Sequence, residues 1–248
     1  PEEEEFVASV DDFVRTCAIA RGFYGAHIGL VGPRPERFET CAINEYPMIE
    51  QFGQRVVPIS LADVFAAANA LADDDPLITA IVDEMCEVAD CRAVDRTALL
   101  KAAKLEQALL NWADEKSLSG MGVQCWTAMQ EVYGISSCTT MGRLTERGIM
   151  TSCEVDIHGA LTMLVQHLAS LGTTVPHFID WTIRHQELED VFLAWHCGNA
   201  PQGLACAGCP PRLRSHSILN RLVGDQISQG TAEFQLKPGV VTLNRLVE

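Results

Sequence analysis

The sequence predicts an α/β protein: a doubly wound, mostly parallel sheet domain followed by a smaller β-rich domain. Two observations carry this. Up to Gly172, short apolar runs of strand type alternate with amphipathic helical stretches, the signature of a parallel sheet with helices on its faces. Beyond Gly172 the texture changes to strand-like runs separated by loops. The boundary is therefore set there, with a Rossmann-like domain over 1–172 and an incomplete β-rich domain over 173–248.

Taken in order, residues 3–22 place Phe6, Val10, Phe13, Val14, Cys17 and Ala18 near one helical face. HIGLVG is a short buried strand ending in Gly32, followed by a Pro/Arg loop. Asn44 to Phe52 reads as helix, VVPIS as strand and Leu61 to Leu71 as helix. Two further helices cover Leu77 to Val88 and Arg96 to Lys116, the second with Asp95 as its expected N-cap. MGVQC then reads as strand, WTAMQEVYG as helix, ISSCTT as strand and IMTSC as strand. Asp156 to Leu171 is a strongly apolar helix closed by Gly172. Strands are expected within Val175 to Ile183, Val191 to His196, Thr231 to Leu236 and Val240 to Leu246.

Composition narrows the function classes. The chain has 248 residues, 48% of them apolar and 21% charged, values of a soluble globular protein. No apolar run is long enough to span a bilayer, and no signal-peptide pattern opens the chain, so a cytoplasmic protein without a membrane partner is expected. Acidic residues outnumber basic ones 33 to 18, for a net charge of −15. With no Lys/Arg cluster to offset it, such a surface repels phosphate backbones, which argues against nucleic acid. The ten cysteines are scattered through apolar stretches and are read as reduced, mostly buried thiols. Pro1 at the start and a strand-like run at the end raise the expectation of a piece of a longer polypeptide.

The stretch TSCEVDIHGALTMLVQHLASLG carries the most chemistry. Glu154 falls where a strand hands over to a helix, at the sheet edge where open α/β proteins bind ligands. Thr151 and Glu154 also have capping-box spacing, so a purely structural role stands beside the functional one, and Asp156 and His158 share that ambiguity. HFIDWTIRH sets Asp180 in a strand whose neighbours look buried, and a buried carboxylate needs a partner. FLAWHCGNA ends an apolar strand on His196. Two carboxylates and an imidazole on the ends of buried elements suit Mn²⁺, with Co²⁺ or Mg²⁺ as alternatives. Gln124, at the end of its strand, is a candidate for hydrogen bonds to sugar hydroxyls or a plain loop amide. Arg184 is a candidate to meet a charged group of a ligand, with pairing to Glu187 or Glu189 as the favoured structural reading.

The run CEVDIHGA, an aromatic-rich strand with an acid, and then HCG together resemble the L-fucose isomerase and L-arabinose isomerase superfamily. HIGLVG and FQLKPGVVTLNRL extend the resemblance over nearly the whole chain. It implies a metal-dependent aldose–ketose isomerase acting on an open-chain pentose or hexose. Glu154, Asp180 and His196 would hold Mn²⁺, and Glu154 and Asp180 would transfer protons through an ene-diol. It also implies a homo-oligomer, a trimer or hexamer, together with a first α/β domain and a further C-terminal histidine that this chain lacks. The rival reading is a non-catalytic protein of the same fold. In it the CAGC of Cys206 and Cys209, with His196 and Cys197, holds a structural zinc.

Overall fold

The structure is a computed structural model and describes residues 2–247. Four parallel strands form the central sheet: β1 (His27–Val31), β2 (Arg55–Ile59), β3 (Gly120–Val123) and β4 (Met150–Ser152), in the order β2-β1-β3-β4. Chain order reverses beside β1, so the carboxyl ends of β1 and β3 open a crevice of the kind that holds ligands in doubly wound proteins.

Strand alternation sorts the helices onto two faces. Ile28 and Leu30 of β1 pack with α1 (Glu2–Phe23) and α7 (Ile157–Ala169), and Met48 of α2 (Glu45–Phe52) joins them. Val31, Met121 and Val123 point to the other face. There they meet α3 (Leu61–Asn69), α4 (Pro76–Val88), α5 (Arg96–Lys116) and α6 (Cys138–Glu146). Helix starts follow the expected chemistry. Ser60 accepts the N–H of Asp63 at α3, and Asp75 with Pro76 opens α4. Beyond Gly172, β5 (Asp180–Arg184) pairs antiparallel with β6 (Phe192–Trp195), and β7 (Arg212–Ser215) with β8 (Gln229–Glu233). A short helix, α8 (Asn220–Val223), lies between β7 and β8. Leu213 and Ala232 enter the larger core cluster. The expected α/β class with a parallel sheet and additional small antiparallel sheets is therefore observed.

Several local expectations are corrected. ISSCTT is not a strand: from Cys138 it forms α6, buried from Cys138 to Thr145. Tertiary contacts override its β-rich composition, because Thr140 Oγ1 donates to Ala102 O and Thr145 Oγ1 to Met141 O, satisfying hydroxyls inside the core. The helix expected in WTAMQEVYG is a single π-helical turn, Met129–Tyr133. Val240 to Leu246 finds no strand partner and instead runs along α7, where Leu246 N donates to Thr162 Oγ1. β7 was not anticipated, since its basic RLRS follows two prolines. Asp95 stands at the N-cap position of α5, yet its carboxylate accepts from Gln229 Nε2 of β8 instead. The apolar face of α1 is exposed at Phe6, Val10, Phe13 and Val14; the helix packs on α7. The cysteines are not all free thiols: Cys86 and Cys91 form a disulfide at the end of α4. Among the described residues, no helix is long and apolar enough to cross a membrane.

Candidate active site

The carboxyl edge of the sheet gathers the polar residues singled out in the sequence and several that were not. After β4 the chain turns sharply through Glu154 (φ 52°) and Val155 (φ 59°) before α7 begins. Two consecutive left-handed residues, one of them β-branched, are costly and persist only where packing holds them. Val155 N donates to Val123 O, and Gly122 leaves room for the turn, since a Cβ there would stand 2.7 Å from the Val155 carbonyl carbon. Glu154 is not a capping-box residue. Asp156 caps α7 by accepting the N–H of Gly159, and Arg245 pairs with the same carboxyl group. The structural reading therefore holds for Asp156. Glu154 is released from it and faces a cavity.

That cavity, about 190 Å³, lies outside the strand ends. Phe38 contributes from the loop after β1, Cys125 and Trp126 from the turn after β3, and Glu154 from the turn after β4. Asp180 and Cys197 come from the β5–β6 region. Trp126 Nε1 donates to Glu154 Oε1 at 3.4 Å, and its ring meets Phe38 edge-on. Burial pushes the Glu154 carboxyl up to about 7; the positive charge of His196 opposes the rise, and Asp180 and Cys197 add to it. Burial also raises the Asp180 carboxyl, although the residue as a whole is exposed, and His196 again opposes. His196 is buried and its ring packs on Phe178. Burial disfavours its cation, but the hydrogen bond to Cys197 and the charges of Cys197, Asp180 and Glu154 outweigh that and raise its pKa. Glu154 and Asp180 line this cavity and each is electrostatically coupled to His196, but His196 itself is not among the residues that line it. Gln124 does not line it either. Its Oε1 is buried without a hydrogen-bond partner and lies against Gly32.

The cysteines are scattered in sequence and convergent in space. Cys138 Sγ, Cys197 Sγ and a ring nitrogen of His216 lie within 4.8 Å of one another, as do Cys125 Sγ, Cys153 Sγ and a Glu154 oxygen. Hydrogen bonds from Cys138 and Cys153 lower the Cys197 pKa; burial opposes this, and His196 and His216 assist it. The contact with Cys197 and burial raise the Cys138 thiol, and contacts with Cys125 and then Cys197, with burial, raise that of Cys153. The zinc set of the rival reading is not assembled. Among the described residues, Cys206 and Cys209 join no such cluster with His196 or Cys197. They meet each other at 3.2 Å, with Cys209 donating to Gln235. Trp126 had a sequence signal that went unused, because it follows a strand at the same edge as Glu154. Cys138 was hidden by the strand reading of ISSCTT, and His216 has no local signal at all.

The donor set can be tested for a hard divalent cation. His196 Nε2 is buried with no hydrogen-bond partner, and two carboxylates are coupled to the same ring. These donors are of the hard type that suits Mn²⁺ more than a thiolate-seeking ion, but among the described residues Glu154, Asp180 and His196 do not have their ligand atoms within 4.8 Å of one another.

Fold and edge together define a class: a doubly wound α/β protein with an acid- and imidazole-lined site at the switch point of its sheet. Comparison with known proteins makes the class more particular. The chain is 28% identical over 248 residues to the sulfoquinovose isomerase of Alkalicoccus urumqiensis, covering 99% of this chain and 53% of that protein. It is 23% identical over 249 aligned residues to the sulfoquinovose isomerase of Clostridium sp. (strain MSTE9), covering 96% and 51%. With that of Priestia megaterium (strain ATCC 12872 / QMB1551) it shares 28% over 220 residues, covering 88% and 47%. The chain spans about half the length of the curated relatives it matches. No family profile matches it. The likeness is thus to sugar isomerases, named for a sugar other than fucose or arabinose.

Proposed function

We propose that this chain forms part of a metal-dependent aldose–ketose isomerase acting on an open-chain sugar. The observation that carries the reading is the convergence of Glu154 and Asp180 on one cavity, each electrostatically coupled to His196, whose Nε2 is buried without a partner. The likeness to sulfoquinovose isomerases supports it, as does the resemblance to fucose and arabinose isomerases in CEVDIHGA and HCG. Glu154, Asp180 and His196 would hold Mn²⁺, which as a Lewis acid supplies polarisation of the carbonyl and stabilisation of developing negative charge. The chain's own work is proton handling. One of the two carboxylates takes the proton from the carbon beside the carbonyl while the carbonyl oxygen gains a proton. The adjacent hydroxyl oxygen of the ene-diol then gives one up as the other carboxyl group returns a proton to the former carbonyl carbon, leaving no net proton change. Trp126 orients Glu154 through its N–H, and Phe38 beside it helps keep bulk water from the carboxylates. The same reading carries a division at Gly172, a cytoplasmic setting and a homo-oligomer.

Sulfoquinovose is the first substrate to test, followed by a panel of pentoses and hexoses. With Mn²⁺ bound, the protein should interconvert one of them and incorporate solvent deuterium at C1 or C2. Glu154→Gln should lower turnover by at least about 10²-fold, the scale of losing a general acid or base. No exchange with any sugar, with metal demonstrably bound, refutes the proposal.

A further inference from the structure

Cys197 touches both imidazoles of the site, and their hydrogen bonds determine which ring nitrogens carry protons. His216 Nδ1 accepts two backbone N–H groups, from Ile218 at 3.2 Å and from Leu219 at 3.1 Å. A ring nitrogen that accepts in this way bears its lone pair, so the proton of a neutral His216 is on Nε2. This disqualifies Cys138, Cys197 and His216 as a soft-metal site, because the ring nitrogen left over is protonated. A His216 ring nitrogen lies within 4.8 Å of the Cys197 sulfur, so any hydrogen bond between them runs from Nε2–H to the sulfur.

His196 faces the same sulfur, with Nδ1 at 3.6 Å from Cys197 Sγ, while its Nε2 is buried without a partner. If Cys197 donated to Nδ1, the proton of His196 would lie on Nε2 and a buried N–H would have no acceptor. If Cys197 accepts, Nε2 keeps a free lone pair. Metal-bound histidines commonly donate their other N–H to a fixed acceptor, which sets ring orientation and tautomer.

We propose that Cys197 is the positioning residue of the metal site. Its sulfur accepts Nδ1–H of His196 and holds the tautomer in which Nε2 presents its lone pair to the divalent cation. The metal half of this rests on the proposed function's reading of His196 as a ligand. The tautomer half stands by itself.

The test combines ¹⁵N spectroscopy of histidine-labelled, metal-free protein with the dissociation constant for Mn²⁺. At a pH high enough for His196 to be neutral, the wild-type ring should be the Nδ1–H tautomer. Cys197→Ala should shift it toward Nε2–H and weaken Mn²⁺ binding by about 10- to 100-fold, the usual effect of removing such a partner. Cys197→Ser, whose hydroxyl oxygen accepts the same N–H, should restore most of both. A wild-type His196 carrying its proton on Nε2 overturns the proposal whatever the variants do. Loss of Mn²⁺ affinity in His196→Ala without loss in a folded Cys197→Ala overturns the positioning role alone. Unchanged affinity in His196→Ala removes instead the reading of His196 as a ligand.

Discussion

The buried charge cluster beneath α6 offers a quantitative test of how the site is supported. Glu106 of α5, with 0% side-chain exposure, accepts from Arg143 Nε at 2.6 Å and from Arg147 Nε at 2.8 Å. Glu84 of α4, 52% exposed, binds the outer sides of the same two guanidinium groups at 2.9 and 2.7 Å. Both acids therefore make two ion pairs, and burial is what separates them. Glu106→Ala leaves the Arg143 guanidinium, 7% exposed, without its inner partner. Breaking a buried pair from one side costs about 3–5 kcal/mol. Because Glu84 still holds Arg143, the lower end applies, about 3 kcal/mol by the same principle. Glu84→Ala removes a solvated partner and should cost at most about 1 kcal/mol. In a chain of this size, about 3 kcal/mol lowers the melting temperature by roughly 6–12 °C. Urea unfolding of both variants reads the difference directly. Since α6 begins at Cys138 on the cavity wall, Glu106→Ala should also loosen that wall. Equal losses for the two variants, or less than about 1 kcal/mol for Glu106→Ala, would refute the assignment of burial as the deciding factor.

Three further outcomes are expected. Gly122→Ala brings a Cβ to 2.7 Å from the Val155 backbone, so it should cost about 1–3 kcal/mol in urea unfolding and, by displacing the Glu154 turn, weaken Mn²⁺ binding. His177 is half-buried with its Nδ1 enclosed, and desolvation together with the charge of His196 lowers its pKa from 6.5 to about 3. Between those values the unfolded chain binds the extra proton, so stability should fall as pH drops through that window. His177→Asn should remove up to about 1.4 kcal/mol per pH unit of that slope, as read by unfolding across pH. Within the proposed metal site, Glu154→Gln should retain some Mn²⁺ while losing turnover. His196→Asn should instead recover part of its rate at high Mn²⁺. A metal titration of both variants that shows the reverse pattern would exchange their assigned roles.

How much of this was readable in the sequence follows from the range of the forces involved. Strand and helix periods are local, so the alternation from His27 to Gly172 announced a parallel sheet. It also placed Glu154 at a strand's carboxyl end, where the chain must turn before α7. Asp180 and His196 were legible as polar residues in apolar runs, but the burial expected around Asp180 is not found, since β5 is exposed and Trp181 is 69% exposed. Other features depended on partners far along the chain. ISSCTT has the composition of a strand and became a helix because α5 and β8 close over it. Asp95 has the chemistry of a cap and was taken by Gln229. The sulfurs of Cys125, Cys138, Cys153 and Cys197 follow no spacing, and His216 carries no motif. They meet because four turns converge at one sheet edge. The sequence by itself determined the order of elements and the acid at the strand end, since both follow from local periodicity. Tertiary structure alone decided what surrounds that acid, because a cavity wall is assembled from residues whose neighbours in space are strangers in sequence.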